Sequence, residues 1–171
     1  MTSPQLFFAY FALSMTALSV LVVTRRNPVH SVLWMLVLFI HIAALYLFLN
    51  AEFLAAVQII VYAGAILVLF LFVIMLLNLK KEETEKKYQN QWPIGAGVGV
   101  ILAVFFVMIV GKITVLPPLG KFSIEAVQAE GHIMTVGKVL YTKYLLPFEI
   151  ASLILLVAII GAVVLAKKRI E

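Results

Sequence analysis

The stretch FLAAVQIIVYAGAILVLFLFVIMLL, Phe53–Leu77, contains no charged residue and is long enough to cross a membrane as an α-helix. A helix needs about 20 apolar residues to span the roughly 30 Å hydrocarbon core of a bilayer. Four further long apolar runs flank it, namely Pro4–Val23, Pro28–Leu49, Pro93–Val110 and Tyr144–Ala166. The sequence therefore predicts an all-α, polytopic membrane protein with five transmembrane helices, which form a single domain over residues 1–171.

Composition supports a membrane protein and excludes several kinds of chemistry. Hydrophobic residues make up 64% of the chain and charged residues only 12%, against about 25% charged in an average soluble domain. Cysteine is absent, which excludes disulfides, thiol catalysis, iron–sulfur ligation and cysteine-based zinc sites in this chain. The net charge of +5 does not indicate nucleic-acid binding, because the basic residues lie in short loops and at a helix end.

The distribution of Lys and Arg predicts the orientation of the spans. Nine of the 13 basic residues fall on one side of the membrane, which the positive-inside rule assigns to the cytoplasm. These nine are Arg25, Arg26, Lys80, Lys81, Lys86, Lys87, Lys167, Lys168 and Arg169. The other four are Lys112, Lys121, Lys138 and Lys143, all in one longer loop. We therefore expect the N-terminus outside and the C-terminus in the cytoplasm.

The segments between the spans differ in length and character. Pro28 follows Asn27 and is well placed in the first turn of the second helix. The link Asn50–Glu52 is so short that the second and third helices should be antiparallel neighbours. Lys80–Gln91 mixes four Lys with three Glu and predicts a solvated cytoplasmic loop. For the semi-apolar stretch Phe122–Tyr141, we expect a short helix at the membrane interface.

Two spans carry small residues at four-residue spacing, Gly95 and Gly99 in the fourth helix and Ala158 and Ala162 in the fifth. Small residues at this spacing share one helix face and allow another helix to approach closely. We expect both pairs to pack, either within this chain or against another subunit. The glycines also resemble part of a nucleotide-binding loop, but they lie inside a membrane span with no preceding strand, so nucleotide binding is not expected.

Few polar side chains lie within the spans, and two of them are close together in the third, beside a glycine. Gln58 and Tyr62 are four residues apart and would share a face of an α-helix, and Gly64 follows them. Glycine weakens a helix by about 1 kcal/mol relative to alanine, so the helix could bulge, hydrate or move here. The alternative is that Gly64 permits close packing and Tyr62 bonds a neighbouring carbonyl. We expect a departure from α-helical geometry between about Tyr62 and Val68.

Glu149 and His41 are the other notable ionisable residues within the spans. Glu149 follows Pro147 near the start of the fifth helix, where the positive end of the helix dipole favours a carboxylate. This helix-start role and a proton-pathway role are both consistent with the sequence. His41 lies in the middle of the second helix and is either a hydrogen-bonded packing residue or a proton relay. The three histidines have no metal-ligand spacing.

Three segments of the chain resemble one known family. The string QIIVYAGAILVLFLFVIMLLN, Gln58–Asn78, resembles the third helix of subunit J of NADH-quinone oxidoreductase, respiratory complex I, whose mitochondrial counterpart is NADH dehydrogenase subunit 6. Asn27–Ser31 resembles the start of that subunit's second helix, and Tyr144–Leu153 resembles its fifth. The resemblance covers almost the whole chain. Some family members carry glutamate where this chain has Gln58, so a proton-carrying role does not transfer directly to that position.

The resemblance implies a non-redox role in the membrane arm of a proton-pumping enzyme. It implies a third helix with a π-bulge near Tyr62, which switches to a regular form and so gates a hydrated path between the quinone region and the pumping subunits. Gln58, Gly64 and Glu149 are the further expected gating or proton-path residues. NADH, FMN, iron–sulfur clusters and quinone would be bound elsewhere in the complex. The expected partners are the quinone-site (H) subunit, the small subunits A and K and the antiporter-like subunits, in a bacterial inner membrane.

Other functions are weighed against this one. An independent transporter or channel predicts several buried charges along one pathway, whereas the first four helices have no charge within their cores. A scaffold subunit without a gating role would share the fold and the partners, and would differ only in whether the third helix changes its geometry. The chain is also compatible with a complex I relative that uses another electron donor, because the donor would enter through other subunits.

Overall fold

The computed structural model describes residues 3–77, 92–112, 120 and 122–167, and every regular element in these ranges is a helix. Five helical spans are long and apolar enough to cross a membrane. They are α1 (Ser3–Thr24), α2 (Pro28–Phe48), a third span over Glu52–Leu76, α5 (Trp92–Lys112) and α8 (Leu145–Ala166). The predicted all-α fold with five spans is confirmed, and each observed end lies within two residues of its predicted position.

The third span is continuous but is built from three helical segments. It begins with α3 (Glu52–Val57), continues as a π-helix over Gln58–Ile66, the π segment, and ends with α4 (Leu67–Leu76). The chain as a whole divides into two compact units, Met1–Leu119 and Gly120–Glu171. The single domain and the orientation of the termini stay predictions. The predicted charged loop between the third and fourth spans lies outside the described residues, as do several basic residues counted for the orientation.

The turn between α1 and α2 is held by side chains that satisfy free backbone groups. Asn27 caps α2, because its Oδ1 accepts the backbone N–H of Val29 at 2.9 Å. Pro28 occupies the first turn of α2, as predicted, where its missing N–H costs no helical hydrogen bond. The hydroxyl of Ser31 donates to the carbonyl of Val22 and so ties the two helices across the turn.

The link between α2 and the third span is a tight backbone motif centred on Asn50. Asn50 has a left-handed φ of 56°. Its N–H donates to the carbonyl of Leu47 at 3.0 Å, and the N–H of Ala51 donates to the carbonyl of Tyr46 at 2.8 Å. This pair of bonds is a Schellman motif, which closes the last turn of α2 and satisfies carbonyls that would otherwise be free. The chain therefore reverses direction within a few residues.

The packing in the first unit centres on α2, which contacts α1 on one side and the third span on the other. Small side chains dominate its interface with the third span, because Ala43, Ala55 and Ala63 are all buried. Small residues let helix backbones approach closely, which replaces the hydrophobic driving force that lipid does not supply. The complete set of buried apolar residues among those described is Phe11, Leu18, Val32, Ala43, Ala55, Ala63 and Leu67.

The second unit contains a short helical hairpin before its membrane span. We expected one interfacial helix over Phe122–Tyr141, but the structure has two, α6 (Ile124–Glu130) and α7 (His132–Lys143). Gly131 separates them because its φ of 90° is a conformation that non-glycine residues rarely adopt. Ser123 caps α6 by accepting the backbone N–H of Ala126 at 3.3 Å.

Glu130 holds the two short helices together. Its two carboxylate oxygens accept hydrogen bonds at 3.0 Å, one from the ammonium of Lys138 and one from the hydroxyl of Thr135. Thr135 is buried, whereas Lys138 is exposed. The bond from Lys138 is the main reason that the pKa of Glu130 lies below its usual value, and the bond from Thr135 adds to the effect. Both bonds favour the charged carboxylate.

We predict that Asn50→Gly leaves the α2 link intact, whereas Asn50→Ala loosens it. Glycine adopts a positive φ freely. Alanine has a Cβ but no polar side chain that could stabilise this left-handed conformation, so it costs about 1 kcal/mol at position 50. The measurement is amide hydrogen exchange at Ala51 in the detergent-solubilised protein. We expect about fivefold faster exchange in Asn50→Ala and no acceleration in Asn50→Gly. Equal exchange in both variants would contradict a strained left-handed residue.

We predict that the α6–α7 hairpin loosens in acid through Glu130. Folding lowers the pKa of Glu130. The charged carboxylate therefore stabilises the hairpin fully at any pH above the ordinary glutamate pKa of about 4.3. This stabilisation is lost as the pH falls through the lower pKa of the folded protein. Amide protection in α7 should therefore decline at acidic pH, and Glu130→Gln should reduce it at neutral pH and flatten its pH dependence. Glu125→Gln is the matched control, because Glu125 is also acidic and exposed but does not contact Lys138.

Candidate functional site in the third span

The π segment is the main irregularity among the described spans. In a π-helix each N–H bonds the carbonyl five residues earlier rather than four, so that one extra residue is accommodated in the turn. The bond that closes the segment is of this kind, because the N–H of Leu67 donates to the carbonyl of Tyr62. The predicted departure from α geometry is confirmed, but it begins at Gln58, four residues earlier than expected, and α geometry resumes at Leu67.

Gly64 lies within the π segment at a position where a larger residue would be crowded. A Cβ placed on Gly64 would lie 3.2 Å from the carbonyl oxygen of Ile59, five residues earlier. This separation is tighter than ordinary van der Waals contact, and the atom it meets belongs to the backbone. The glycine therefore relieves a clash that the π turn itself would create, which is a more specific role than the general weakening expected from the sequence.

The extra residue changes which side chains of the third span face α2. The buried residues are Ala55, Gln58, Ala63 and Leu67, at spacings of three, five and four. A regular α-helix buries residues three or four apart, so the five-residue step falls where the helix is π-wound. With α winding, the buried stripe would continue from Gln58 to Tyr62. The π segment instead buries Ala63 and leaves Tyr62 47% exposed.

Gln58 and Tyr62 consequently differ in environment, although the sequence predicted that they share a face. Gln58 is buried at 6% exposure, and no side-chain hydrogen bond joins its amide to another described residue. The ring of Tyr62 meets the ring of Phe39 on α2 edge-on, with centroids 6.1 Å apart. Its hydroxyl has no hydrogen-bond partner within the described part of the chain. Two polar groups at this depth thus remain available to water or to another subunit.

Phe39 is a contact that the sequence analysis missed, although a signal for it exists. It lies 11 residues before Asn50, and Tyr62 lies 11 residues after Ala51. Because the link is tight and the helices are antiparallel, residues equally far from it lie opposite each other. The same argument applies to the turn between α1 and α2, where Tyr10 contacts His41.

Glu149 does not have the helix-start role that the sequence suggested. Helix α8 begins at Leu145, so Glu149 lies beyond its first turn, and Tyr144 precedes the helix without a side-chain cap. Glu149 is exposed, and its backbone carbonyl accepts the hydroxyl of Ser152 at 2.7 Å. Its carboxylate has no ion pair or hydrogen bond with any residue that the structure describes. Glu149 belongs to the second unit and the π segment to the first.

The two small-residue pairs lie on uncovered helices. A Cβ built on Gly95 or Gly99 of α5 would meet nothing within 4 Å, and Ala158 and Ala162 of α8 are exposed. Neither α5 nor α8 contains a buried residue. Their packing role therefore stays a prediction. The same part contains no group of three or more His, Cys, Asp or Glu side chains able to hold a metal ion.

Five apolar spans with a π-helical segment inside one of them define a multi-pass membrane protein with an irregular helix at bilayer depth. The chain belongs to the NADH-ubiquinone/plastoquinone oxidoreductase chain 6 family, which matches residues 18–165. The resemblance to complex I subunit J is thereby confirmed. The match includes the whole of the π segment.

Several relatives support this assignment over most of their length. An NAD(P)H-quinone oxidoreductase chain 6 from Leptolyngbya boryana is 40% identical, over 95% of this chain and 79% of its own. An NADH-ubiquinone oxidoreductase chain 6 from Chondrus crispus is 42% identical, over 92% of this chain and 81% of its own. An NADH-quinone oxidoreductase subunit J from Rickettsia felis is 37% identical, over 97% of this chain and 82% of its own.

We predict that Gly64→Ala shifts the third span towards regular α winding. The added methyl group would press on the carbonyl oxygen of Ile59 while the segment is π-wound, which disfavours the π form. A structure of the assembled complex should then show bonds to the residue four positions back through this segment. Gly97→Ala in α5 is the control, because its added Cβ meets nothing within 4 Å. An unchanged π-helix in Gly64→Ala would show that the crowding is unimportant.

Proposed function

We propose that this chain is a non-redox membrane-arm subunit of a proton-pumping NADH:quinone oxidoreductase. Its third span gates a hydrated path that couples quinone reduction to proton translocation. The observation that carries the proposal is the π segment over Gln58–Ile66, with Gly64 at a position where a Cβ would lie 3.2 Å from the carbonyl oxygen of Ile59. π-helical turns occur frequently at functional sites, and here the turn lies beside two polar side chains without described partners.

The gate is a change in helix winding. When the π segment becomes α-helical, its turn contains one residue fewer. The part of the span on one side of the segment then rotates about the helix axis by about 100° relative to the other part. Tyr62 then takes the buried position that Ala63 holds in the π form. Residues of α4 such as Phe70, Phe72 and Met75 turn towards different neighbours. A local change of one residue thereby alters the lining along the rest of the span.

Water enters this path next to Gln58 and Tyr62. In the π form, the phenol of Tyr62 is half exposed and the amide of Gln58 is buried beside α2. Backbone groups that are released during the change of winding require partners at bilayer depth, and water can provide them in a protein-lined cavity. In the π form, the small side chain of Ala63 lies at the α2 interface in place of Tyr62. This leaves room there that the phenol ring of Tyr62 would fill in the α form.

The rest of the enzyme supplies the redox chemistry. NADH, FMN, the iron–sulfur clusters and the quinone are bound by other subunits, and this chain binds none of them. The partners are the quinone-site (H) subunit, the small subunits A and K and the antiporter-like subunits, which cover the exposed faces of α5 and α8 in a bacterial inner membrane. The electron donor is NADH or a related reductant, since the relative from Leptolyngbya boryana is named for NAD(P)H.

A purely structural scaffold is the second candidate. The observation in its favour is that α5 and α8 have no buried residue, so that much of the surface is available to neighbouring subunits. A scaffold requires those surfaces but does not require the third span to change its winding. The two functions therefore differ in how the intact enzyme responds to substitutions in and around the π segment.

We predict that Gly64→Ala, Tyr62→Phe and Glu149→Gln lower proton translocation per electron more than they lower assembly of the complex. Tyr62→Phe keeps the ring contact with Phe39 and removes only a hydroxyl that has no partner among the described residues. Gly64→Ala crowds the carbonyl oxygen of Ile59 while the segment is π-wound, so it disfavours the π form and coupled turnover should fall. The measurement is proton uptake and NADH oxidation in vesicles that contain the intact complex.

Tyr46→Phe in α2 is the matched control, since it removes a phenol hydroxyl from another span. We expect this variant to pump protons normally. If Gly64→Ala, Tyr62→Phe and Glu149→Gln all assemble and translocate the full number of protons per electron, the gating role is wrong and the scaffold function remains.

A further inference from the structure

A second polar pair lies in the membrane on the side of α2 that faces α1. The hydroxyl of Tyr10 on α1 lies 3.4 Å from Nε2 of His41 on α2. The two rings are 6.2 Å apart at an interplanar angle of 30°. His41 lies seven residues before the end of α2 at Phe48, or about 10 Å along the helix axis. The pair is therefore well inside the predicted outer half of the bilayer.

The hydrogen bonds of His41 assign its tautomer. Nδ1 lies 2.9 Å from the backbone carbonyl oxygen of Val37. A carbonyl can only accept, so Nδ1 carries the hydrogen, and in the neutral ring Nε2 keeps its lone pair. Tyr10 therefore donates its hydroxyl hydrogen to Nε2. Each ring nitrogen has one partner, and the imidazole is held in one orientation.

This pair is separate from the polar residues of the third span. Phe39, which meets Tyr62, and His41 are two residues apart on α2 and so project to nearly opposite sides of the helix. Few titratable groups lie on the helices that pack against α2. Helix α1 contributes Tyr10, the π segment contributes Tyr62 on the opposite side, α3 contributes Glu52 at the outer end, and α4 contributes none.

We propose that His41 and Tyr10 form a second intramembrane proton-binding site, distinct from the gate in the third span. A proton adds to Nε2 of His41 and makes the ring an imidazolium with two N–H donors. The bond to Tyr10 then reverses, because Nε2–H donates to the phenol oxygen and the phenol hydrogen turns away. No bond between heavy atoms forms or breaks. The proposal rests on the proposed function in one respect, namely that the complex translocates protons.

The surroundings of Tyr10 allow this reversal. Tyr10 borders a groove of about 470 Å³ whose other lining residues are Leu6, Phe7, Phe11 and Phe48. The hydroxyl hydrogen has room to turn towards this groove, since Tyr10 is 56% exposed. The groove lies towards the start of α1 and the end of α2, which are both on the predicted outer side. The site thus lies nearer to the predicted outer side, with which it would exchange its proton.

A hydrogen bond that merely ties α1 to α2 is the competing explanation, and titration separates the two. His41→Gln keeps a side chain that donates and accepts hydrogen bonds but cannot take up a proton near neutral pH. Tyr10→Phe keeps the ring and removes the acceptor that stabilises the imidazolium. Both variants should assemble in the complex, and both should change how proton translocation per electron depends on pH.

The experiment measures protons translocated per electron against pH in vesicles containing the intact complex. We expect His41→Gln to lower the ratio and remove part of its pH dependence. Tyr10→Phe should also lower the ratio and alter its pH dependence, because the charged ring of His41 loses its hydrogen-bond acceptor. Tyr46→Phe should have the wild-type profile.

The outcomes are distinguishable from those for the gate. If both His41→Gln and Tyr10→Phe have the wild-type ratio and profile while Gly64→Ala is uncoupled, this inference is wrong and the gate stands. If Gly64→Ala, Tyr62→Phe and Glu149→Gln all pump normally and His41→Gln does not, the gate is wrong and this site stands. If the complex with His41→Gln does not assemble, the pH dependence of proton translocation in Tyr10→Phe decides between the two explanations. A complex without proton translocation would overturn both.

Discussion

Every backbone N–H and C=O in the hydrocarbon core requires a partner within the protein, and the rest of this structure depends on that constraint. The third span meets it in two ways. Its α segments use bonds to the residue four positions back, and the π segment between them uses bonds to the residue five positions back. An extra residue is thereby accommodated at bilayer depth while the helix remains hydrogen-bonded. The winding can differ between two states while most of the backbone keeps a partner.

The same constraint explains which parts of the fold could be predicted from the sequence. A span has to be a long apolar helix, so the five runs located the spans to within two residues. The irregularity could be anticipated from Gly64, because a missing side chain is visible in the sequence. Its start at Gln58 could not, since the residues from Gln58 to Val61 include no glycine or proline that would mark a change of winding.

Local chemistry explains the predictions that were wrong. For Glu149 a helix-start role and a proton-pathway role were both open, and the structure places it beyond the first turn because α8 begins two residues before Pro147. The interfacial helix was expected to be continuous, although Gly131 marked the interruption. The pairing of Tyr10 with His41 and of Phe39 with Tyr62 was missed. In each pair, the two residues are equally far from the link between their helices, so they lie opposite each other in an antiparallel helical hairpin. This could be used for prediction only if the links were known to be tight.

The difference in burial among the spans has a consequence for biogenesis. The first three spans pack against each other around α2, whereas α5 and α8 present only exposed side chains. As the chain leaves the ribosome, the first two hairpins can reach their final contacts immediately. Neither α5 nor α8 buries a residue within its own unit, so their side chains are available to neighbouring subunits of the complex. A copy made in excess over the other subunits would leave these apolar side chains uncovered by another subunit, and surfaces of that kind are natural substrates for membrane quality-control proteases.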